Sequence, residues 1–426
     1  MRCRPNCEHG VAGVVTRNHV VRKGLGALLM LVGCAHWLAA SAATSVQPEL
    51  ALKYDYTDNQ NLAEGLAAAE QSYGGRLLAA LEWRNFTERS EMLLLPQIRL
   101  SRYRGDIEES RSDYYLFARG KYDWQTARVG LLADYSRETK LTSDLADVPF
   151  PSDPGAGPPD QTDTGIVTTR GYKETLYITP DVAWDVTERT SLGARYDFMQ
   201  VDYIDVPPGG GTDFTNNEIG FTVDHKFTQR LTLGVFLTAG KYQTDVNNVQ
   251  TDYQEGGASL TYKPSEQTIV EADVGAHRSD TSSSAPAAVE ENLTDPFGWL
   301  QWTYRAPRDL WQFYAGRSFD PSGNGTLSRR DQARFDWDRL LTERLTSTAG
   351  LRWIQSESTT ILGIETRRDY GRAQLGLRWL MTKMLSVGAM ATYTYQDFYD
   401  RPGSATAWGA SLDMTYGGPG NVRRRR

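Results

Sequence analysis

Leu345-Thr346-Ser347-Thr348-Ala349-Gly350-Leu351-Arg352-Trp353 carries two different surfaces on one short segment. Leu345, Ala349, Leu351 and Trp353 fall on one side of a period-two repeat, and Thr346, Thr348, Gly350 and Arg352 fall on the other. Period two belongs to a β-strand with two unlike environments. Leu341-Thr342-Glu343-Arg344, just before it, is short and polar enough for a tight turn. Working outward, the pattern recurs. Ala373, Leu375, Leu377 and Trp379 alternate with Arg372, Gln374, Gly376 and Arg378, and Trp408, Ala410, Leu412, Met414 and Tyr416 alternate with Gly409, Ser411, Asp413 and Thr415. Earlier copies run through Leu77 to Trp83, Val129 to Tyr135, and Leu192 to Phe198. The apolar side usually ends in Trp or Tyr, here Trp83, Trp124, Tyr135, Trp353, Trp379, Trp408 and Tyr416. Amphipathic rings at strand ends are what a bilayer interface selects, whereas a soluble sandwich hides its aromatics mid-strand.

The connections are of two kinds. Tight ones lie near residues 85–88, 125–127, 186–189, 227–230, 263–266, 306–309, 341–344 and 381–383. Longer ones, rich in Asp, Gly, Pro and Ser, lie at 58–72, 104–111, 140–170, 204–213, 245–251, 281–292, 320–326, 358–364 and 400–404. A Thr-Glu-Arg or Thr-Gln-Arg turn recurs at Thr187, Thr228 and Thr342, with weaker copies near Pro264, Pro307 and Thr382. One hairpin per repeat would also suit a propeller, but propeller strands need apolar residues on both faces. Short turns alternating with long loops predict an all-β, transmembrane, antiparallel up-and-down barrel with periplasmic turns and extracellular loops. Two strands per long loop give 18, with 16 as the alternative, and an even count puts both ends of the barrel in the periplasm. The first strand is expected around Leu50 to Tyr56.

Composition agrees. Of 426 residues, 11% are aromatic, and Gly (39) and Tyr (22) are abundant, which argues against disorder. No apolar run beyond the first 45 residues is long enough to span a bilayer as a helix. Arg17, Arg22 and Lys23, the apolar run Leu25 to Leu38, and Ala40-Ser41-Ala42 read as a secretory signal covering 1–42, with translation starting near Val20 or Val21 as an alternative. Leu31-Val32-Gly33-Cys34 also fits a lipobox, making Cys34 a possible lipidation site. Cleavage would remove all three cysteines and take the net charge from −7 to −11. That excludes a disulfide framework and thiolate metal sites in the mature chain. The expected layout is a signal peptide, a barrel over 43–416 and a basic tail over 417–426 ending in Arg423 to Arg426.

In lipid every backbone N–H and C=O must pair internally, and a closed barrel achieves this for strands. Eighteen strands enclose a lumen wider than side chains alone fill. Its expected lining includes Arg119, Lys121, Asp123, Arg195, Asp197, Arg334, Asp336, Asp338, Arg352, Arg372, Arg378 and Asp413. These charges read either as a self-satisfied network or as a guide path for an anionic polymer. In the second reading Arg352, Arg372 and Arg378, taken as lying on three strands, form a basic stripe. The Pro-rich segment 140–170 reads as an external disordered loop rather than an inward plug. Catalysis is not expected. Asp224-His225 lies two residues from a periplasmic turn, and His277 beside Ser279 and Asp280 has no convincing partner. No cofactor, metal-ligand or nucleic-acid-binding pattern is present.

Tyr54-Asp55-Tyr56-Thr57-Asp58-Asn59-Gln60-Asn61-Leu62 resembles the opening strand and loop of outer-membrane porins of the beta-barrel porin 2 type, which include barrels associated with PEP-CTERM and exopolysaccharide systems. The resemblance implies an integral outer-membrane barrel, inserted by the barrel assembly machinery, that serves polysaccharide export with periplasmic export components. It brings no catalytic residues. The basic tail and the lipobox depart from the pattern. The leading expectation is therefore a passive conduit for an exported, anionic exopolysaccharide, with a general diffusion porin for small solutes and a non-conducting structural or surface-binding barrel as the alternatives.

Overall fold

The structure is a computed structural model. It describes residues 43–59, 62, 69–105, 109–139, 171–206, 211–244, 248–283, 291–323, 325–359, 365–399 and 403–417. The leader with Cys34, the segment 140–170 and the terminal arginines lie outside the described residues.

Eighteen strands follow one another along the chain. The first nine are β1 (Ala43–Thr57), β2 (Ser72–Phe86), β3 (Ser90–Gly105), β4 (Glu109–Asp123), β5 (Ala127–Thr139), β6 (Tyr172–Asp185), β7 (Thr190–Ile204), β8 (Phe214–Lys226) and β9 (Leu231–Thr244). The rest are β10 (Val249–Ser265), β11 (Thr268–Ser282), β12 (Glu291–Arg305), β13 (Asp309–Pro321), β14 (Leu327–Leu340), β15 (Leu345–Thr359), β16 (Glu365–Leu380), β17 (Leu385–Phe398) and β18 (Ser404–Gly417). Each strand pairs antiparallel with the next, and β1 pairs with β18, so the sheet closes on itself without an edge. β1 starts well before the expected Leu50. The number of strands is 18, not 16.

Two unlike faces explain the closure. The residues of each strand alternate between well-exposed apolar side chains and more buried polar ones, as in Leu50, Leu52, Tyr54 and Tyr56 of β1 against Glu49, Lys53 and Asp55. Outward positions carry Leu237 at 67% exposure, Val274 at 66% and Leu412 at 62%, a degree of apolar exposure suited to lipid rather than water. With the backbone paired all round and an apolar outer band, the chain is an integral outer-membrane protein.

Five of the short turns share one chemistry. Thr87, Thr187, Thr228, Thr342 and Thr382 each accept, through Oγ1, the N–H groups of the residues two and three positions on, at 2.9–3.3 Å. A threonine hydroxyl thereby takes the place of a backbone acceptor and sets the turn. The carbonyl of the second residue after the threonine then receives an N–H from the neighbouring hairpin: Arg89 from Asp123, Arg189 from Lys226, Arg344 from Leu380 and Met384 from Gly417.

Three prolines each interrupt one ladder and leave the other intact. Pro96 pairs with Leu116 of β4, while β2–β3 pairing skips the positions opposite it. Pro180 pairs with Leu131 of β5, while β6–β7 pairing skips from Ile178/Phe198 to Asp181/Arg195. Pro296 pairs with Ala276 of β11, and β12–β13 pairing stops just below it at Gly298/Arg317. A missing N–H on one side is the common cause.

Above that last break, the tip of the β13–β14 hairpin turns into the barrel. Phe319 stacks on His277 of β11 at 4.1 Å between ring centroids. The Ser322 carbonyl accepts the Tyr242 hydroxyl at 2.8 Å, and the Gly323 carbonyl accepts the Thr212 N–H at 2.8 Å. Leu327 packs on the buried group Val201, Tyr203, Phe214 and Tyr242. A second buried apolar group joins Leu62 of the first loop to Ile354, Tyr370, Ala405 and Ala407. The buried apolar groups therefore line the inner wall, at two places where loop residues fold onto it.

Candidate functional site

Residues that face each other across an antiparallel pair share a face of the sheet, so the register decides which side chains reach the lumen. Arg334 of β14 pairs with Arg352 of β15, and Arg352 pairs with Arg372 of β16. All three lie on the inward side with the buried Ile354 and Tyr370. The row thus contains Arg334, which the sequence reading did not group with the others. Arg378, which it did group, shares β16 with Arg372 instead of occupying a third strand. Arg378 lies lower, where its guanidinium meets Asp413 of β18 at 3.3 Å. The alternation identifies the face of each arginine, but not its height in the ladder.

The other lining residues form short-range pairs. Lys121 meets Asp123 at 2.7 Å. Arg334 meets Asp336 at 2.6 Å. Arg195 bridges Asp197 at 2.7 Å and Glu218 at 3.2 Å. Asp197 also accepts the Tyr177 and Thr179 hydroxyls at 2.6 and 2.7 Å, beside the gap that Pro180 leaves in the β6–β7 ladder. Arg119 and Asp338 lie at inward register positions opposite Leu93 and Thr348.

A recess of about 290 Å³ opens on the inner wall from β16 through β18 and round to β4. Lys53 and Arg76 hold Asp55 between them at 3.0 and 2.8 Å. Arg99 reaches Asp113 at 3.9 Å and lies over the Tyr115 ring, and Arg111 lies over the Tyr103 ring. Arg372 closes the far side. Sequence reading named only Arg372 here. Lys53, Arg76, Arg99 and Arg111 are legible by the same inward parity, Lys53 on the evenly alternating β1 and Arg76 beside the alternation of Leu77 to Trp83, but are absent from the expected lining.

The opening motif has a structural role at this rim. Tyr54 and Tyr56 face outward, and Asp55 faces the recess. Asp58 exchanges two hydrogen bonds with the Trp408 backbone, accepting at 2.7 Å and donating at 3.1 Å, and the Asn59 amide donates to the Thr406 carbonyl at 3.0 Å. The motif seals β1 to β18 and leads the chain inward to Leu62, which has a positive φ of 45°.

The outward aromatics fall at two levels. Trp83, Trp124, Trp379 and Tyr416 lie near the short turns, and Tyr135, Trp353 and Trp408 lie about halfway or more along their strands. Trp184, missed by sequence reading, joins the turn-side group at 54% exposure, and its alternation with Val182 was the available signal.

Neither histidine forms a catalytic arrangement with the partners considered. Thr190 and His225 pair on the outer face, with His225 Nδ1 2.9 Å from Thr190 Oγ1. Consecutive strand residues point to opposite faces, so Asp224 is directed away from His225. His277 is fully buried between Tyr253 and Phe319, with Nδ1 2.9 Å from Glu255.

No family model matches the chain, and no curated protein does. The family resemblance therefore rests on the opening motif. Among solved structures, OccK5 (OpdH) of Pseudomonas aeruginosa aligns with 12% identity and a TM-score of 0.45, over 88% of this chain and 97% of its own. The outer membrane protein OpdK of Pseudomonas aeruginosa aligns at 11% and 0.46, over 88% and 98%. OccAB3 of Acinetobacter baumannii aligns at 12% and 0.43, over 88% and 100%.

Proposed function

We propose that the barrel is a passive outer-membrane channel for small solutes, with a preference for anions. The observation that carries this reading is the inward row Arg334–Arg352–Arg372 on three adjacent strands. Cationic side chains on a channel wall favour anions in the lumen, so three arginines in line, Arg334 of them paired with Asp336, suit a negatively charged visitor. The basic recess lies beside the same row and extends the favourable potential round the lumen.

Export of an anionic exopolysaccharide, the function that the opening motif implies, would draw on the same basic wall. Two features favour small solutes over a polymer. Leu62 and the β13–β14 tip both fold onto the inner wall, and each takes lumen space that a threaded chain would need.

Purified protein in planar bilayers under a potassium chloride gradient tests the reading. The reversal potential is expected to report anion preference. Changing Arg334, Arg352 and Arg372 together to Gln should reduce that preference several-fold, because focused charge in a low-dielectric lumen governs local ion concentration. A silent barrel, or a cation-selective one, overturns the proposal. Liposome swelling with sugars of graded size separates a small-solute channel, which should show a sharp size limit, from a polymer conduit.

A further inference from the structure

We infer that His277 is an acid-responsive latch, whose protonation releases the β13–β14 tip from the inner wall and frees the lumen space that the tip takes. The inference goes beyond the proposed anion preference, and rests on the channel reading only for what the release does to conductance.

His277 lies on the inward face of β11 and is fully enclosed. Its ring stacks on Tyr253 of β10 at 5.8 Å and on Phe319 of the tip at 4.1 Å between centroids. Tyr253 belongs to the barrel wall, whereas Phe319 is carried by the hairpin. Above Gly298/Arg317 the β12–β13 pairing has ended, so the tip can leave the wall without opening that ladder. It is held by the Phe319 stack, the Tyr242 hydroxyl on the Ser322 carbonyl, the Thr212 N–H on the Gly323 carbonyl and the packing of Leu327. His277 is the titratable member of this set that ordinarily changes charge between pH 5 and 8.

The two ring nitrogens differ. Nδ1 lies 2.9 Å from Glu255, and a carboxylate only accepts, so the neutral ring carries its proton on Nδ1. Nε2 is then a bare acceptor, buried and without a hydrogen-bond partner. A second proton has to sit there, as a charged N–H with neither acceptor nor water, which costs more than a bare nitrogen. The planes of His277 and Phe319 differ by 11°, so the new N–H lies along the stack and does not point into the Phe319 face. Departure of the tip opens the ring to lumen water. The Glu255 contact does not set the direction, because both partners stay on the wall in either position. A proton that is held better in the released position shifts the tip toward release.

Other charged groups face the same space. Glu218 of β8 accepts the Tyr253 hydroxyl at 2.9 Å and is bridged by Arg195 of β7 at 3.2 Å. Asp295 of β12 stands opposite His277 in the register, and Asp273 shares its face of β11. On the hairpin, Asp331 of β14 clamps Arg317 of β13 at 2.6 Å, and Asp320 accepts the Ser318 hydroxyl at 2.7 Å and lies 3.9 Å from Arg330. β9 presents Thr238 and Gly240 at this height, and neither titrates. Each of these ion pairs lies wholly on the wall or wholly on the hairpin, so release of the tip leaves it intact. His277 differs in touching both, Glu255 on one side and Phe319 on the other.

Amide hydrogen exchange of the full-length protein in lipid nanodiscs, at pH 7.5 and pH 5.5, tests the latch without reference to conductance. The Thr212 amide, which donates to the Gly323 carbonyl, reports the tip directly. Its rate is taken relative to the unstructured chain at the same pH, which cancels the intrinsic acid dependence of exchange. Protection at Thr212 is expected to fall about tenfold at pH 5.5, while the β10–β11 ladder stays protected. His277→Gln, which cannot titrate, and His277→Phe, which keeps an aromatic stack, should each abolish the difference. Glu255→Gln removes the charge that favours protonation and leaves the ring, so the response should move to lower pH; it remains informative should the His277 variants fail to fold. Equal protection at both pH values, stronger protection in acid, an acid response that persists without His277, or one unmoved by Glu255→Gln overturns the latch. In a conducting barrel, the same acidification should raise the mean conductance of the unsubstituted protein more than that of His277→Gln, and equal responses overturn the gain of lumen space. Anion-selective conductance with a tip indifferent to pH would remove the latch and leave the channel. Acid release of the tip in a silent or cation-selective barrel would do the reverse.

Discussion

Asp58 and Asn59 close the barrel through three hydrogen bonds to β18, across sequence separations of 350 and 347 residues. A net hydrogen bond contributes about 1 kcal/mol, and more when the acceptor is charged. Asp58→Ala should therefore lower stability by about 1–2 kcal/mol and Asn59→Ala by about 1 kcal/mol. Both effects should appear as lower urea midpoints for unfolding from lipid vesicles, and an unchanged midpoint for Asp58→Ala would remove the seam role. The motif was legible as a string, and its family resemblance was drawn from that string. Its physical work was not, because nothing local in Tyr54 to Leu62 indicates that Trp408 and Thr406 lie alongside. The same limit explains the arginines. Parity along one strand assigns Arg352 and Arg372 to the lumen, but the register between strands decides that Arg334 completes the row and that Arg378 meets Asp413. Asp197 makes a related point. It looks like one more lumen charge in the alternation, yet it gathers two hydroxyls and a guanidinium at the gap beside Pro180. Asp197→Leu should cost about 1–3 kcal/mol by the same unfolding measurement, and Asp197→Asn, which keeps an acceptor, should cost less.

At the scale of elements, the hairpins were readable because five of their turns repeat one threonine chemistry. The repeated threonine was found as a pattern at Thr187, Thr228 and Thr342, and the structure gives its cause and adds Thr87. The β13–β14 tip was not readable. Residues 320–326 have the Pro, Ser and Gly content of an external loop, and composition carries no direction. What turns the tip inward is the early end of the β12–β13 ladder below Pro296, followed by contacts from Phe319, Ser322 and Leu327. Tyr242→Phe keeps the ring but deletes the hydrogen bond to the Ser322 carbonyl. In planar bilayers it should increase the frequency of conductance fluctuations, as a tip held by one bond fewer leaves the wall more often. Phe319→Ala, which removes the stack on His277, should act in the same direction. Recordings indistinguishable from the unsubstituted protein for both would mean that the tip is held by its backbone contacts alone.

For the whole molecule, the consequential property is that one sheet separates two solvents. The average polarity of the chain hides this, because each strand contributes equally to an apolar outside and a charged inside. Adjacent residues can therefore respond oppositely to the same substitution. Leu375 lies on the outer face of β16 at 61% exposure, five residues from the turn-side end of the strand, and Gln374 beside it faces the lumen. An arginine on the lipid face near mid-bilayer costs about 2–4 kcal/mol, whereas a lumen position tolerates charge. Leu375→Arg should therefore lower the stability of the vesicle-inserted barrel by about that amount and reduce the yield of folded protein. Gln374→Arg should cost less, since its guanidinium would lie on the polar inner wall near Asp336 rather than in lipid, and it should shift the reversal potential further toward anions by extending the Arg334–Arg352–Arg372 wall one step down β16. Urea titration in vesicles reads the first effect and bilayer recording reads the second. Similar stability losses for both variants would contradict the assignment of faces on which the barrel, its bilayer setting and the basic lumen all depend.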